Sequence, residues 1–370
     1  MFEFLNLKSE AFGLDISDLS LKLIKLKKKK GDLGLASFEE SFIKPGIIKE
    51  GEIKDEKSLV EIIRETLAKV KGEKLKTKYV IASLPEEKAY LQVIQMPHMN
   101  EEELKSAVIF EAENYIPLPI EDVYLGFQVV SPVYNHLDHI DVLIAALPKK
   151  TVDPYVSCLK EAGLTPQSLE IESLAISRAL IKNEASNFPV LLVDFGATRT
   201  SFIMFAGRSL RFTSSIPVSS QKFTEAISQT LKVSFEKAEK LKLEHGLLKE
   251  DPLTDGEEGK KVFEALIPAF TDLTEQIKKH LSFYQTHSFH EHLPSGRKGV
   301  EKILLCGGGA NLKGLCDFLS LELKIPVEIG NPWINILPKS LKEVPELPYK
   351  ESLKYTTALG LALRGVKKND

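Results

Sequence analysis

One order of elements is written twice along this chain, and a duplicated order admits few folds. Phe12-Gly13-Leu14-Asp15-Ile16 reads as a short buried strand. Leu21, Leu23, Ile24 and Leu26, interleaved with lysines, read as its partner after a tight turn, and a third strand follows from Leu33 to Ile43. Val190-Leu191-Leu192-Val193-Asp194 restarts the pattern, with a glycine turn, a strand from Thr200 to Phe205 and a third strand reaching Thr213. Such repetition predicts two lobes whose sheets share a strand order. The chain has 370 residues, 43% of them hydrophobic, enough to give each lobe a core.

Between the repeats lies a stretch of different character. Leu59, Ile62, Ile63, Leu67 and Val70 recur at helical spacing before a strand from Tyr79 to Leu84 that Pro85 closes. A strand over 89–96 follows, then a helix from Asn100, with Glu103 in capping-box register, running to Tyr115 and stopped by Pro117 and Pro119. Strands near 123–133 and 140–147 and a helix ending at Gly163 complete a unit that reads as a self-contained α+β insertion and interaction module. The expected organisation is a first lobe over 1–85, the insertion over 86–165, the first lobe resumed over 166–189 by a helix near 170–182, and a second lobe over 190–340. A C-terminal part over 341–370, with a small-residue helix from Thr356 to Arg364, returns to the first lobe.

The second lobe should also carry helices near 219–232 and 235–244, a charged linker over 249–261 and a long amphipathic helix through Phe263, Leu266, Ile267, Phe270, Leu273, Ile277, Leu281 and Tyr284. Pro268 is expected to start or kink that helix. After a loop over 287–299 come the strand Ile303-Leu304-Leu305, a glycine turn, a helix over 311–323 and a strand from Val327 to Ile329.

Charge excludes some functions. With 49 basic and 52 acidic residues the net charge is -3, which gives no broad attraction to nucleic acid or to an anionic membrane. Lys27 to Lys30 before Gly31-Asp32 read as a solvated hairpin tip. Cys158, Cys306 and Cys316 form no CxxC pair, which argues against a disulfide framework or structural zinc and fits a reducing cytoplasm. His280, His287, His290 and His292 with Glu291 match no closed zinc spacing and read as a solvated helix end and loop. No apolar run approaches the roughly 20 residues of a membrane span, and the start lacks a signal-peptide pattern, so no direct membrane insertion is expected.

Three turns follow buried strands and carry small or hydroxyl residues: Asp15 to Lys22 with Ser17 and Ser20, Asp194 to Thr200 with Gly196, Ala197 and Thr198, and Gly307-Gly308-Gly309-Ala310. Turns of this kind let backbone N–H groups converge on an anion, and an aspartate ending each of the first two strands suits Mg²⁺ held beside phosphate oxygens. Any one of them alone usually reads as a plain hairpin; together, in two lobes of the same order, they point to a phosphate site.

That conjunction resembles the actin-like ATPase superfamily, a two-lobe α/β fold of duplicated ribonuclease H-like lobes. The α+β insertion in the first lobe is similar to the FtsA and PilM branch. Glu111-Ala112-Glu113-Asn114-Tyr115-Ile116-Pro117-Leu118-Pro119 and Leu143-Ile144-Ala145-Ala146-Leu147-Pro148 resemble the PilM family in particular. The resemblance implies an ATP and Mg²⁺ site. Asp15 and Asp194 would hold the metal through water. Ser17, Ser20 and Lys22 would lie by the phosphates. Asp194, Gly196, Ala197, Thr198 and Thr200 would make the second phosphate loop, and Gly307, Gly308 and Gly309 would pass the adenosine. Glu239 and Lys242 would bracket the ribose; without the resemblance they read as a surface salt bridge.

The resemblance further implies a scaffold peripheral to the cytoplasmic face of the inner membrane, within the type IV pilus assembly platform. Its expected partner is the N-terminal tail of a PilN-type bitopic membrane protein, held near Phe110, Tyr115 and Ile116; further copies of itself or pilus motor components are other partners. Ser17, Asp18 and Leu19 depart from the family pattern, since Ser17 restricts the backbone and Asp18 repels phosphates unless it points away or shares the metal. No residue presents itself to orient an attacking water, so at most slow hydrolysis is expected. An FtsA-like division protein, a small-molecule kinase of the same fold and a nucleotide-free adaptor stay open. The short polar end after Arg364 is unlike the amphipathic anchor of the FtsA-like reading.

Overall fold

The computed structural model describes residues 10–29, 32–130, 138–247, 256–287, 293, 299–337 and 345–366. The expected hairpin tip at Lys30 and Gly31, positions 249–255 of the charged linker, and His290, Glu291 and His292 lie outside those residues.

Alternating apolar side chains make β1 (Phe12–Ile16), β2 (Ser20–Lys29) and β3 (Asp32–Phe42) an antiparallel set. A small hairpin, β4 (Ile48–Lys49) and β5 (Glu52–Ile53), leads into α1 (Glu56–Ala68), whose N-cap Asp55 accepts a hydrogen bond from Ser58 N. β6 (Lys71–Gly72) pairs with β3, and β7 (Tyr79–Leu84) lies parallel to β1.

The insertion opens with β8 (Tyr90–Pro97) and α2 (Glu101–Ala112), which starts at the expected Asn100–Glu103 capping box. α2 ends three residues before Tyr115. β9 (Val123–Val130) and β10 (His139–Pro148) follow, giving a three-stranded sheet in the order β8-β10-β9. Ile94, Met96, Val142 and Ile144 from the sheet and Leu104 and Val108 from α2 form its own core.

The end of the inserted module differs from the sequence expectation. α3 (Lys149–Glu161), read as the last element of the insertion, buries Val152, Tyr155 and Leu159 with Phe12, Leu14, Leu59 and Ile63 of the first lobe. β11 (Thr165–Ile171), given no strand by the sequence and overlapping the start of the helix expected near 170, is a strand parallel to β7. Pro166 hid it: a proline cannot donate to a ladder, and the register slips between Pro166 and Ser168 at the sheet edge. The first sheet therefore runs β11-β7-β1-β2-β3-β6.

α4 (Glu172–Leu180) leads to β12 (Ser186–Phe195), β13 (Thr200–Gly207) and β14 (Ser209–Ile216), then α5 (Ser220–Leu231), α6 (Phe235–His245) and α7 (Glu257–His287). β15 (Lys302–Cys306), α8 (Leu315–Leu323) and β16 (Val327–Ile329) complete a sheet ordered β14-β13-β12-β15-β16. Strand for strand this repeats β3-β2-β1-β7-β11, with the same antiparallel and parallel pairings.

α7 passes through Pro268 unbroken. Leu266, Phe270, Leu273, Ile277 and Tyr284 are buried in the second core, while Pro268 lies on the exposed face. Ile267, expected in the apolar stripe, is 42% exposed. α9 (Tyr349–Ser352) precedes α10 (Thr356–Val366), which packs on β1, β2 and α4. Gly360 makes that contact possible, since a Cβ there would lie 1.9 Å from Ala175 O.

Candidate functional site

The turns after β1 and β12 leave the carboxyl ends of central strands and meet across one cleft of about 380 Å³. Asp15, Ser17, Ser20, Lys22, Asp194, Gly196, Ala197, Thr198, Glu239, Lys242, Gly307 and Gly308 all line it. Thr200 and Gly309 have other places. Thr200 is fully buried and donates to Val218 O at 2.8 Å, tying β13 to the entry of α5. Gly309 sits against the Phe195 ring, where a Cβ would come within 2.5 Å of Cδ1.

The first loop is closed by its own side chains. Ser17 N donates to Ser20 O at 2.9 Å, and the two hydroxyls are 2.9 Å apart. Lys22 Nζ donates to Ser20 Oγ at 2.5 Å and stands 3.9 Å from Asp15. Ser83 Oγ donates to Asp15 Oδ1 at 3.1 Å and accepts from Ile16 N at 2.8 Å. Asp18 is turned aside: its carboxylate accepts from Gly51 N at 3.0 Å and Glu50 N at 3.2 Å and pairs with Arg199 at 3.2 Å.

The second loop faces a helix instead. Gly196 N donates to Arg199 O at 3.0 Å, while the Gly196 and Ala197 carbonyls accept the first amides of α5, from Ser220 at 3.0 Å and Gln221 at 3.1 Å. Gly307 closes the third side. It adopts φ 82°, and a Cβ would fall 2.3 Å from Asp194 Oδ1, so no other residue fits there without moving the carboxylate.

Acids outnumber bases around the cleft. Asp15, Asp18, Glu40, Glu87, Glu172, Asp194 and Glu239 face it against Lys22, Arg199, Lys242 and Lys354, seven to four. Burial, with repulsion from Asp15, pushes the Asp194 carboxyl up to about 6. Burial also raises Asp15, against the pull of Lys22. Glu172, the first residue of α4, is held well above the usual carboxylate range by burial and then by Asp15, Glu87 and Asp194. Such mutual repulsion is relieved by a cation. Among the described residues no three His, Cys, Asp or Glu side chains converge to hold a metal.

Sequence reasoning missed Glu172, Glu87 and Arg199. The only signal for Glu172 was its position opening a helix, which an unrecognised β11 obscured. Glu239 and Lys242 do pair, at 2.8 Å across i, i+3, but not on the surface: Lys242 is buried, and it also donates to Ser220 O at 3.0 Å and Thr224 Oγ1 at 2.8 Å. His280 packs against Phe202 with ring centres 4.5 Å apart and planes tilted by 39°, and its Nδ1 lies 2.7 Å from Gln276 O, a packing role.

Of the residues expected to meet a partner, Phe110 is 73% exposed and Tyr115 47%. Ile116 is corrected: at 5% exposure it packs in the core of the inserted sheet, where the turn after α2 folds it inward.

A family model described as type IV pilus assembly protein PilM matches residues 13–366. The chain belongs to the PilM family. A solved PilM-PilN type IV pilus biogenesis complex is similar to it with TM-score 0.80 and 28% identity, covering 98% of this chain and 100% of the other. MreB5 of Spiroplasma citri, solved with ADP, shares the fold at TM-score 0.55 and 13% identity, covering 95% and 94%. FtsA of Pseudomonas aeruginosa is 23% identical over 226 residues, 57% of this chain and 50% of that protein. FtsA of Borreliella burgdorferi is 25% identical over 290 residues, 72% and 67%. The chain thus spans roughly half to two thirds of these curated relatives. This PilM-family member has the actin-like ATPase fold, with duplicated sheets about a cleft.

Proposed function

We propose that this PilM-family chain is an ATP-binding scaffold of the type IV pilus assembly platform. It takes ATP between its lobes and the N-terminal tail of a PilN-type membrane protein on its inserted module. The observation that carries this reading is the pair of aspartate-ended loops facing each other across one acidic cleft, with Gly307 and Gly308 on the third side. Lys22 and the turn at Ala197 and Thr198 meet the phosphates, and Glu239 and Lys242 hold α5 in place behind them. Asp15 and Asp194 fit Mg²⁺ through its waters; the ion supplies positive charge among phosphates and carboxylates that otherwise repel.

Glu172 is the carboxyl placed to accept a proton from a water in the cleft. Burial, and then the charges of Asp15, Glu87 and Asp194, raise its pKa well above the ordinary carboxylate range, and a cation in the cleft would oppose that shift.

For the partner, Phe110 and Tyr115 offer exposed aromatic anchors, and β9 is an edge strand of its sheet, suited to pairing with an extended peptide. No helix among the described residues is long and apolar enough to cross a membrane. A membrane-spanning partner would then place this chain at the cytoplasmic face of the inner membrane. Titrating a synthetic PilN-type tail peptide tests the surface. Phe110→Ala with Tyr115→Ala should abolish binding at unchanged stability, whereas Ile116→Ala should cost about 3 kcal/mol of stability. Full binding by the double variant would remove the assignment.

A further inference from the structure

Arg199 belongs to the second loop, yet both of its charged partners belong to the other side of the cleft. Nη2 lies 3.2 Å from Asp18 Oδ2 in the first loop, and Nη1 contacts the carboxylate of Glu87. Glu87 sits in the short turn just before β8, the root of the inserted module. The three side chains are 19%, 11% and 16% exposed, so little water screens them.

Their anchoring is unequal. Asp18 is fixed independently by the Gly51 and Glu50 amides. Burial raises the pKa of Glu87, Arg199 opposes that shift, and Asp18 adds repulsion. Two of the other cleft bases are held by carboxylates, Lys242 by Glu239 at 2.8 Å and Lys354 by Glu40 at 2.6 Å, while Lys22, 3.9 Å from Asp15, stands on the first-loop side. A guanidinium is a flat fork matched to phosphate oxygens, and this one stands in the cleft between two loops, shared by one carboxylate more than it can neutralise.

We propose that Arg199 reads the terminal phosphate of a nucleotide in this cleft, exchanging its hold on Glu87 for phosphate oxygens while Asp18 stays anchored. Occupancy of the cleft thereby releases the root of β8. The inference rests on the nucleotide reading above, and it explains why Asp18 stands where it does, since its carboxylate holds Arg199 back from the phosphate position until a nucleotide arrives.

The test is calorimetric titration of the full chain with Mg²⁺-ATP and with AMP, comparing wild type, Arg199→Met, Asp18→Asn and the double variant. Arg199→Met should weaken ATP at least about tenfold, the worth of a charge-assisted hydrogen bond, and leave AMP unchanged. Asp18→Asn should tighten ATP, and that gain should vanish in the double variant. A merely structural bridge would weaken both ligands in both single variants, and that pattern overturns the proposal. Wild-type ATP binding that Arg199→Met leaves untouched overturns it alone; no ATP binding by wild type removes the nucleotide reading and this proposal together.

Discussion

The loops after β1 and β12 occupy equivalent places in sheets of the same order, yet they solve the same charge problem differently. The first neutralises itself, with Lys22 beside Asp15 and serine hydroxyls closing the turn. The second places no base of its own against its aspartate. Asp194 accepts a weak thiol contact from Cys306 at 3.8 Å, and its carboxyl rises to about 6. Duplication thus copied the scaffold and left the chemistry to diverge: one loop carries a base beside its aspartate, and the other leaves a buried carboxyl whose pKa is raised.

The largest effect expected from this contrast is at Gly307, which closes on the second loop. Gly307→Ala adds left-handed strain and a Cβ 2.3 Å from Asp194 Oδ1. It should cost about 3 kcal/mol in urea unfolding and abolish nucleotide binding. A neutral result would mean that Asp194 is free to move and the contrast is false.

Thr200→Val comes next. Its hydroxyl holds Val218 O, not the cleft, so about 1 kcal/mol of stability should go while Mg²⁺-ATP affinity stays. Lost affinity at unchanged stability would return Thr200 to the phosphate site.

A smaller effect separates the aspartates by pH. Because the folded-state pKa of Asp194 lies above its ordinary value, ionising it opposes folding; that cost is absent below about pH 4 and complete above about pH 6. Asp194→Asn should therefore stabilise the ligand-free protein by about 1 kcal/mol at pH 7 and not at pH 4. Equal effects at both pH values would place its charge in water.

Much of this was legible in the sequence because strands and helices write periodic patterns: β7 and the Asn100 capping box sit where apolar alternation and the Asn-to-Glu spacing put them. The two aspartates were legible because each ends such a strand. What escaped depended on contacts between distant segments. Arg199 and Asp18 are 181 positions apart, and no local pattern pairs them. Asp18 looked repulsive because the amides of Gly51 and Glu50, which turn it aside, come from a hairpin too short to show. Ile116 looked exposed because one residue between Tyr115 and Pro117 has no periodicity to reveal which way it faces. α3 reads as amphipathic whichever sheet it covers.

The most direct test of the central claim is calorimetric titration of the nucleotide-stripped chain with Mg²⁺-ATP, repeated on Asp194→Ala. Saturable binding that the substitution abolishes is the predicted result. No binding by the native chain, or equal affinity in the variant, would contradict the two-loop site and leave a nucleotide-free adaptor of the same fold.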